Sequence, residues 1–447
     1  MDYQEALDYL SAHTNFEAKP ADIYSPERFD VNRSGSLLAA LGNPQHHYPS
    51  VHIAGSKGKG SVAAMTEAIL RAAGYRTALY TSPHLADFRE RLQIDRGWIT
   101  PEDFAEVMTD LQPHVGQIPE ITFFEIATCL AFEWFSRQKV DVAILEVGLG
   151  GRLDPTNAVL PRVCGITAIS LEHTALLGDT VEAIAAEKGG IIKTGIPAIS
   201  SHQTASVLEV FKEIARERNA PLSLVGRDWL YERCSFSIAN QSFRCWSVRN
   251  PDNRQEFDLP LHGLHQVENG TLAVALVSEL QVQGWKISPE HIASGLRTVH
   301  WAARVEIIPG RPTTIIDAAH NADSAGRLVE TIQELFPGQL PILVFGAMVD
   351  KDSAGMLAEL LPITSHAIIT SVDHPRSAAP EDLVSIAERF PVRISKVMDA
   401  SHAITNALAL ADDDGIILIT GSVYLAGVAR TVLAEEITFV DRVRQYE

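Results

Sequence analysis

Gly55-Ser56-Lys57-Gly58-Lys59-Gly60-Ser61 is the stretch on which the fold reading turns. It follows a short apolar run at 50–54 and precedes a helical pattern at 61–73 that stops at Gly74. Another apolar run, 76–81, comes next. The segment therefore spells strand, loop, helix, strand, the unit from which parallel sheets are built. Glycines at 55, 58 and 60 let backbone amides turn inward around an anion, and the positive end of the following helix adds to that field. Lys59 is placed to reach outer phosphates, and Ser61 offers a hydroxyl to phosphate or Mg²⁺. In the common phosphate loop the serine directly follows the lysine, whereas Gly60 intervenes here. The strand–loop–helix setting favours nucleotide binding, ATP above all, over the plain alternative of a glycine-rich turn with an exposed lysine.

Outward from this loop the alternation continues. Strands are predicted at 140–147, 163–170, 196–200 and 222–225, and helices at 123–137, 180–188 and 205–218. Between 231 and 261 short alternating segments, 236–238 and 243–248, predict a small antiparallel patch, followed by helices at 265–281 and 288–296. The pattern breaks at 298–304. Beyond the break, strands at 313–317, 341–345, 367–371, 392–394 and 415–420 are interleaved with helices at 324–336, 353–361, 380–390, 400–411 and 423–435. The expected fold class is α/β, with one domain over 1–297 and a second, Rossmann-like α/β domain over 298–447.

Composition bounds the function. A chain of 447 residues exceeds one ordinary core, and 46% hydrophobic with 21% charged residues is the balance of a folded protein. The net charge of -19, from 56 acids against 37 bases, argues against a nucleic-acid partner. It leaves room for a small cationic pocket that takes an anionic substrate. Cys129 and Cys164 sit in apolar runs, and no disulfide is expected between Cys234 and Cys245. Residues 1–16 mix acids with apolar residues and do not read as a signal peptide, and no 18 apolar residues run together. A cytoplasmic protein without a membrane segment is expected.

Several residues at predicted strand ends carry chemistry. Glu146 closes an apolar strand before Gly148-Leu149-Gly150-Gly151-Arg152, and a buried carboxylate there needs a partner such as a hard divalent cation. His173 follows the next strand and completes such a site if it pairs with Glu146; alone it reads as a capping or surface histidine. Lys188 ends a helix, where a lysine complementing the helix C-terminus is explanation enough. Asn269 offers an amide to a purine edge or is simply an exposed helical asparagine. Arg304 falls at the domain break. Asp317-Ala318-Ala319-His320-Asn321, the loop 345–352 and Gly421-Ser422 stand at three further strand ends, the active edge of an open α/β sheet.

Taken together, these residues closely resemble the folylpolyglutamate synthase family of Mur-type amide ligases. The resemblance runs from His52-Ile53-Ala54-Gly55 to Gly421-Ser422-Val423-Tyr424-Leu425. Its most specific blocks are Thr81-Ser82-Pro83-His84-Leu85, Arg89-Glu90-Arg91-Leu92, Thr122-Phe123-Phe124-Glu125 and the run Leu145 through Asp154. The resemblance implies an N-terminal phosphate-loop ATPase domain joined to a smaller Rossmann-like domain. It also implies ATP-dependent addition of L-glutamate to dihydropteroate or to a reduced folate through an acyl phosphate. By the same resemblance Ser61, Ser82, Glu146 and His173 would hold Mg²⁺. Lys188 would be carbamylated and join them as a ligand. Gly55, Gly58, Lys59, Gly60, Ser61, Asn269, Arg304 and Asp317 would contact the nucleotide, and Lys59, Lys188 and His320 would serve catalysis. Phe124, Asp154 and Ser422 would meet the substrates, with Phe124 stacking on the pterin. A monomer is expected, because both substrates fit between two domains of one chain.

Five departures from the family pattern stand out: Ser56-Lys57 for Thr-Asn, Glu172 for Asp, Gly189 for Ala, Ala318 for Gly, and Ala302-Ala303 for Pro-Gly after Trp301. Two other functions fit the ATP chemistry alone: a Mur-type ligase acting on a cell-wall precursor, and a regulatory nucleotide-binding protein.

Overall fold

Two sheets organise the chain in a computed structural model that describes residues 1–18 and 31–444. The strands of the first are β1 (Ser50–Ala54), β2 (Thr77–Tyr80), β3 (Leu92–Ile94), β4 (Gly97–Trp98), β5 (Val142–Glu146), β6 (Val163–Ile166), β7 (Ala198–Ser200) and β8 (Leu222–Leu224). Their order is β4-β3-β2-β5-β1-β6-β7-β8. The pairs from β2 through β8 are parallel, and the β2–β3 and β3–β4 pairs at one edge are antiparallel. β1 and β5 are buried along their whole length. Such strands read as unbroken apolar runs because both faces are covered.

Alternate residues of β5 serve different cores. Val142 and Ile144 pack with the helices Lys59–Ala72 and Leu264–Val282. Ala143 and Leu145 pack on the other face against Pro101–Val115 and Phe123–Arg137. The helix Phe123–Arg137 is closed at its start by a capping box, with Thr122 accepting from Glu125 N–H and Glu125 accepting from Thr122 N–H.

The antiparallel patch has three strands, β9 (Trp229–Phe236), β10 (Gln241–Ser247) and β11 (Gln255–Leu259), in the order β11-β10-β9. Of the expected strand at 236–238 only Phe236 is strand, as the last residue of a longer one, and 237–238 belong to the turn that follows. The earlier part of that strand was hidden because Glu232 and Arg233 interrupt the apolar alternation. The second sheet holds β12 (Glu306–Ile308), β13 (Thr313–Ile316), β14 (Ile342–Phe345), β15 (His366–Ser371), β16 (Arg393–Asp399) and β17 (Ile416–Thr420). Its order is β12-β13-β17-β14-β15-β16, with β12 alone antiparallel. Helices cover both faces of this sheet as well. The fold is therefore two α/β domains, as expected. All four cysteines are free. Among the described residues no helix is long and apolar enough to cross a membrane.

Candidate functional site

Parallel strands place all their C-terminal ends on one edge, and in both sheets that edge faces a shared cleft. The phosphate loop leaves β1 there, Ser82 follows β2, Glu146 ends β5, and His173 lies beyond β6. From the second sheet, Asp317 and His320 follow β13 and Ser422 follows β17.

The loop is built by close approach. Gly55 has φ +142°, and a Cβ on it would fall 1.9 Å from Thr167 Oγ1. A Cβ on Gly58 would meet Asn269 Oδ1 at 2.6 Å, and one on Gly60 the Trp301 ring at 2.9 Å. Ser56 N–H and Lys57 N–H both donate to Ala168 O, so the loop is tied to the chain after β6. Lys59 Nζ reaches Ser56 O at 3.4 Å, while Lys57 pairs across the cleft with Asp323.

A cavity of about 230 Å³ lies over this loop. Lys57, Gly58, Lys59, Gly60 and Ser61 line it with Ser82, Glu146, His173, Asn269, Arg304, Asp317 and His320. Nearly every residue read as nucleotide-binding or metal-ligating is thus brought together. Gly55 and Lys188 line no part of it and stand behind the loop. Lys188 is buried, donates to Gly55 O at 2.9 Å and lies 2.7 Å from Glu172 Oε1. Burial pulls the Lys188 ammonium down from its usual range, against the attraction of Glu172.

Among the described residues Ser61 Oγ is buried without a hydrogen-bond partner, which is costly unless a ligand completes it. The Glu146 carboxyl is raised by burial, opposed chiefly by the nearby Lys59 charge, and it accepts Ser82 N–H at 3.2 Å. His173 keeps an exposed face at the cleft, yet the protein around it displaces enough water to push it down to about 4, although Glu172 stands beside it. No three His, Cys, Asp or Glu side chains converge as a metal cage among the described residues. An orphan hydroxyl and one buried carboxylate instead suit Mg²⁺, which takes few protein ligands and completes its shell with phosphate and water.

A second cavity, about 290 Å³, adjoins the first, and both are lined by Ser82, Gly148, His173 and His320. Phe124, Asp154 and Ser422 line the second cavity. The Phe124 ring occupies the space a Cβ on Gly148 would need, at 2.3 Å from its Cζ. Asp154 is already engaged: it accepts Leu149 N–H and Thr156 N–H at 2.9 Å each, together with the Thr156 hydroxyl. Ser422 Oγ accepts Leu425 N–H at 3.0 Å. His320 Nδ1 lies 2.9 Å from Ala318 O. A carbonyl only accepts, so Nδ1 carries the proton and Nε2 keeps its lone pair. Burial and Lys351 push His320 down to about 4, so the ring is neutral near pH 7.

Three groups in this second cavity were missed in the sequence. Lys351 and Arg376 are cations that share Asp350, at 3.8 and 3.4 Å, and Arg376 Nε has no hydrogen-bond partner among the described residues. Lys351 lies in a loop already recognised as a strand end. Arg376 follows β15 and was within reach of the same rule. Glu17 joins them from the N-terminal segment, pairing with fully buried Arg91 through both oxygens. Nothing in the local pattern of residues 14–17 announces that contact.

Architecture and cleft define an ATPase-type domain facing a second α/β domain, the organisation of Mur-type ligases. Residues 53–277 match the Mur ligase middle domain, and 303–423 match the Mur ligase glutamate ligase domain. The Bacillus subtilis dihydrofolate synthase/folylpolyglutamate synthase is 33% identical over 432 residues, covering 94% of this chain and 97% of that protein. The chain belongs to the folylpolyglutamate synthase/dihydrofolate synthase family. The structure of Mycobacterium tuberculosis folylpolyglutamate synthase complexed with ADP superposes with a TM-score of 0.86 at 32% identity, over 96% of this chain and 98% of that one. A probable bifunctional folylpolyglutamate synthase/dihydropteroate synthase of Haloferax volcanii is 35% identical over 96% of this chain, which spans 50% of that relative's length.

Proposed function

We propose that this chain is an ATP-dependent amide ligase that adds L-glutamate to dihydropteroate, to reduced folate polyglutamates, or to both, releasing ADP and phosphate. The observation that carries this reading is the junction of the two cavities at Ser82, Gly148, His173 and His320. A nucleotide seated on the phosphate loop would present its terminal phosphate there, to an acid lying against Phe124 in the second cavity.

In the first step a carboxylate oxygen of the acid attacks the γ-phosphorus, and the bond to the β-phosphate oxygen breaks to release ADP. The amine of L-glutamate then attacks the acyl carbonyl, inorganic phosphate leaves, and the nitrogen gives up a proton. No bond to the enzyme is required; positioning and charge compensation carry the catalysis. Lys59 and Arg304 offset the phosphate charge, with the loop amides beneath and Asn269 and Asp317 bordering the nucleotide. Mg²⁺ would be held by Ser61, Ser82, Glu146 and His173, and when bound it neutralises the phosphates for attack by another anion. His320, neutral with Nε2 free to accept, orients the incoming amine. Lys351 and Arg376 suit the carboxylates of L-glutamate, and Ser422 borders the same space. Lys188 braces Gly55. Carboxylated at Nζ it would set a second anion against Glu172, a pairing that a cation between them would have to bridge, and no step above runs through it.

We read residues 1–297 as the domain for ATP and the pterin and 298–447 as the glutamate-ligase domain. The working unit is a cytoplasmic monomer, since one chain supplies every residue named. The test is direct. Purified protein with Mg-ATP and L-glutamate should release phosphate when given dihydropteroate or tetrahydrofolate, and the acid should gain one glutamate residue in mass. No product from either acid ends this reading, and product from only one decides between the two activities.

A further inference from the structure

The stretch 299–305 joins the helix Pro289–Thr298 to β12 and brings Arg304 to the cleft. Ala303 and Val305, on either side of it, have φ of +53° and +47°. Left-handed backbone is uncommon for alanine and a true outlier for a β-branched valine. Such a conformation persists only where its surroundings over-determine it.

Two carboxylates do so. Glu306 Oε2 accepts Ala303 N–H at 2.8 Å, and Asp317 Oδ2 accepts Val305 N–H at 2.8 Å. Ala303 O accepts Ala318 N–H at 3.0 Å, so the turn is also fastened to the chain after β13. The Ala303 and Val305 side chains are buried in two different core clusters of the second domain. Arg304 lines the cavity together with Val305, and its charge bears on Glu146. Its Nη1 donates to Ala303 O at 2.8 Å, so the guanidinium is braced by the turn itself. Upstream in the same stretch, Trp301 fills the space beside Gly60 of the phosphate loop.

Asp317 is only 8% exposed, and its second oxygen accepts Ala319 N–H at 2.8 Å. Glu306 does not line the nucleotide cavity at all; its other partners are Arg430 and His300. A carboxylate outside the cavity that fixes the residue before Arg304 reaches the nucleotide only through that arginine.

We propose that Glu306 is a positioning residue, which together with Asp317 clamps a left-handed turn and thereby aims Arg304 at the nucleotide phosphates. This rests on the reading of the cavity as the nucleotide site, and the test separates the two. Full-length protein carrying Arg304→Ala, Glu306→Ala, Glu306→Gln or the Glu306→Ala/Arg304→Ala pair is titrated with ADP by calorimetry, with Lys59→Ala alongside. Arg304→Ala should weaken ADP binding about tenfold, and Glu306→Ala severalfold. In the Arg304→Ala background Glu306→Ala should cost nothing further, because the two act through one contact. Glu306→Gln keeps an oxygen for Ala303 N–H and should restore most of the affinity, which a general loss of charge or packing would not allow. Multiplying effects of the two alanine changes, no effect of Glu306→Ala, or no rescue by glutamine would each overturn the proposal. If neither Lys59→Ala nor Arg304→Ala weakens ADP binding, the nucleotide reading itself fails.

Discussion

Glu172 stands where resembling sequences carry Asp, and its carboxylate lies 2.7 Å from Lys188 Nζ. Ala303 stands where they carry Gly, and it takes the left-handed conformation that glycine adopts without cost. Ala318 needs no glycine, since its φ is not positive. His52, in the centre of β1, has no exposed surface and bonds Thr156 through Nε2 at 2.9 Å. Burial and Lys193 push it down to about 3. An unfolded His52 takes a proton below pH about 6.5 while the folded one does not, so stability should fall as pH drops from there towards about 3. The slope from one such histidine is up to about 1.4 kcal/mol per pH unit. Urea unfolding at pH 7, 6 and 5 measures it, and His52→Gln should flatten the dependence. An unchanged slope in that variant would remove His52 from the account.

At the scale of elements, the helix Val181–Gly189 shows how the site is mounted. A Cβ on Gly189 would lie 2.6 Å from Ile214 Cδ1, the free end of a side chain on the helix Ala205–Glu217. Ile214 fills the volume that the family's usual alanine would use. Gly190 differs in kind, because a Cβ there would fall 2.5 Å from Arg152 Cα and 2.8 Å from Arg152 N. Backbone cannot step aside as a methyl can. Gly189→Ala should therefore be nearly neutral, helix propensity offsetting the shift of Ile214, whereas Gly190→Ala should cost about 3 kcal/mol. Chemical denaturation of the two variants decides this, and equal losses would contradict it. Most elements could be read from the sequence because their periods are clean; the helix Phe123–Arg137 was predicted to the residue. The helix Pro101–Val115 was overlooked although its start signals are present, with Thr100 as cap, Pro101 in the first turn and Glu102 and Asp103 behind it.

Over the whole molecule, what the sequence could not show are contacts made between distant segments. Lys57 was an unexplained cation in the phosphate loop. In the structure it reaches Asp323 on the helix Ala322–Leu335, a partner 266 positions away, with Arg327 on the same carboxylate. Half-exposed pairs of this kind contribute about 1 kcal/mol or less, and salt screens them. That is enough to bias how the two domains sit without locking them. Lys57→Asn and Asp323→Asn should each enlarge the radius of gyration measured by small-angle scattering without nucleotide, and the double variant should add nothing. Identical scattering curves for all four proteins would show that the pair holds nothing.

The glycines of the phosphate loop have one further consequence. Thr167, Asn269 and Trp301, which occupy the space beside Gly55, Gly58 and Gly60, come from three separate parts of the chain. The seven residues are thus not a portable cassette. Grafted onto another strand and helix, they would keep their freedom to turn but lose the walls that fix which way they turn. Divergence is constrained in the same manner: a change of size at any of those three distant positions must be matched by movement of the loop, so change here should arrive in pairs.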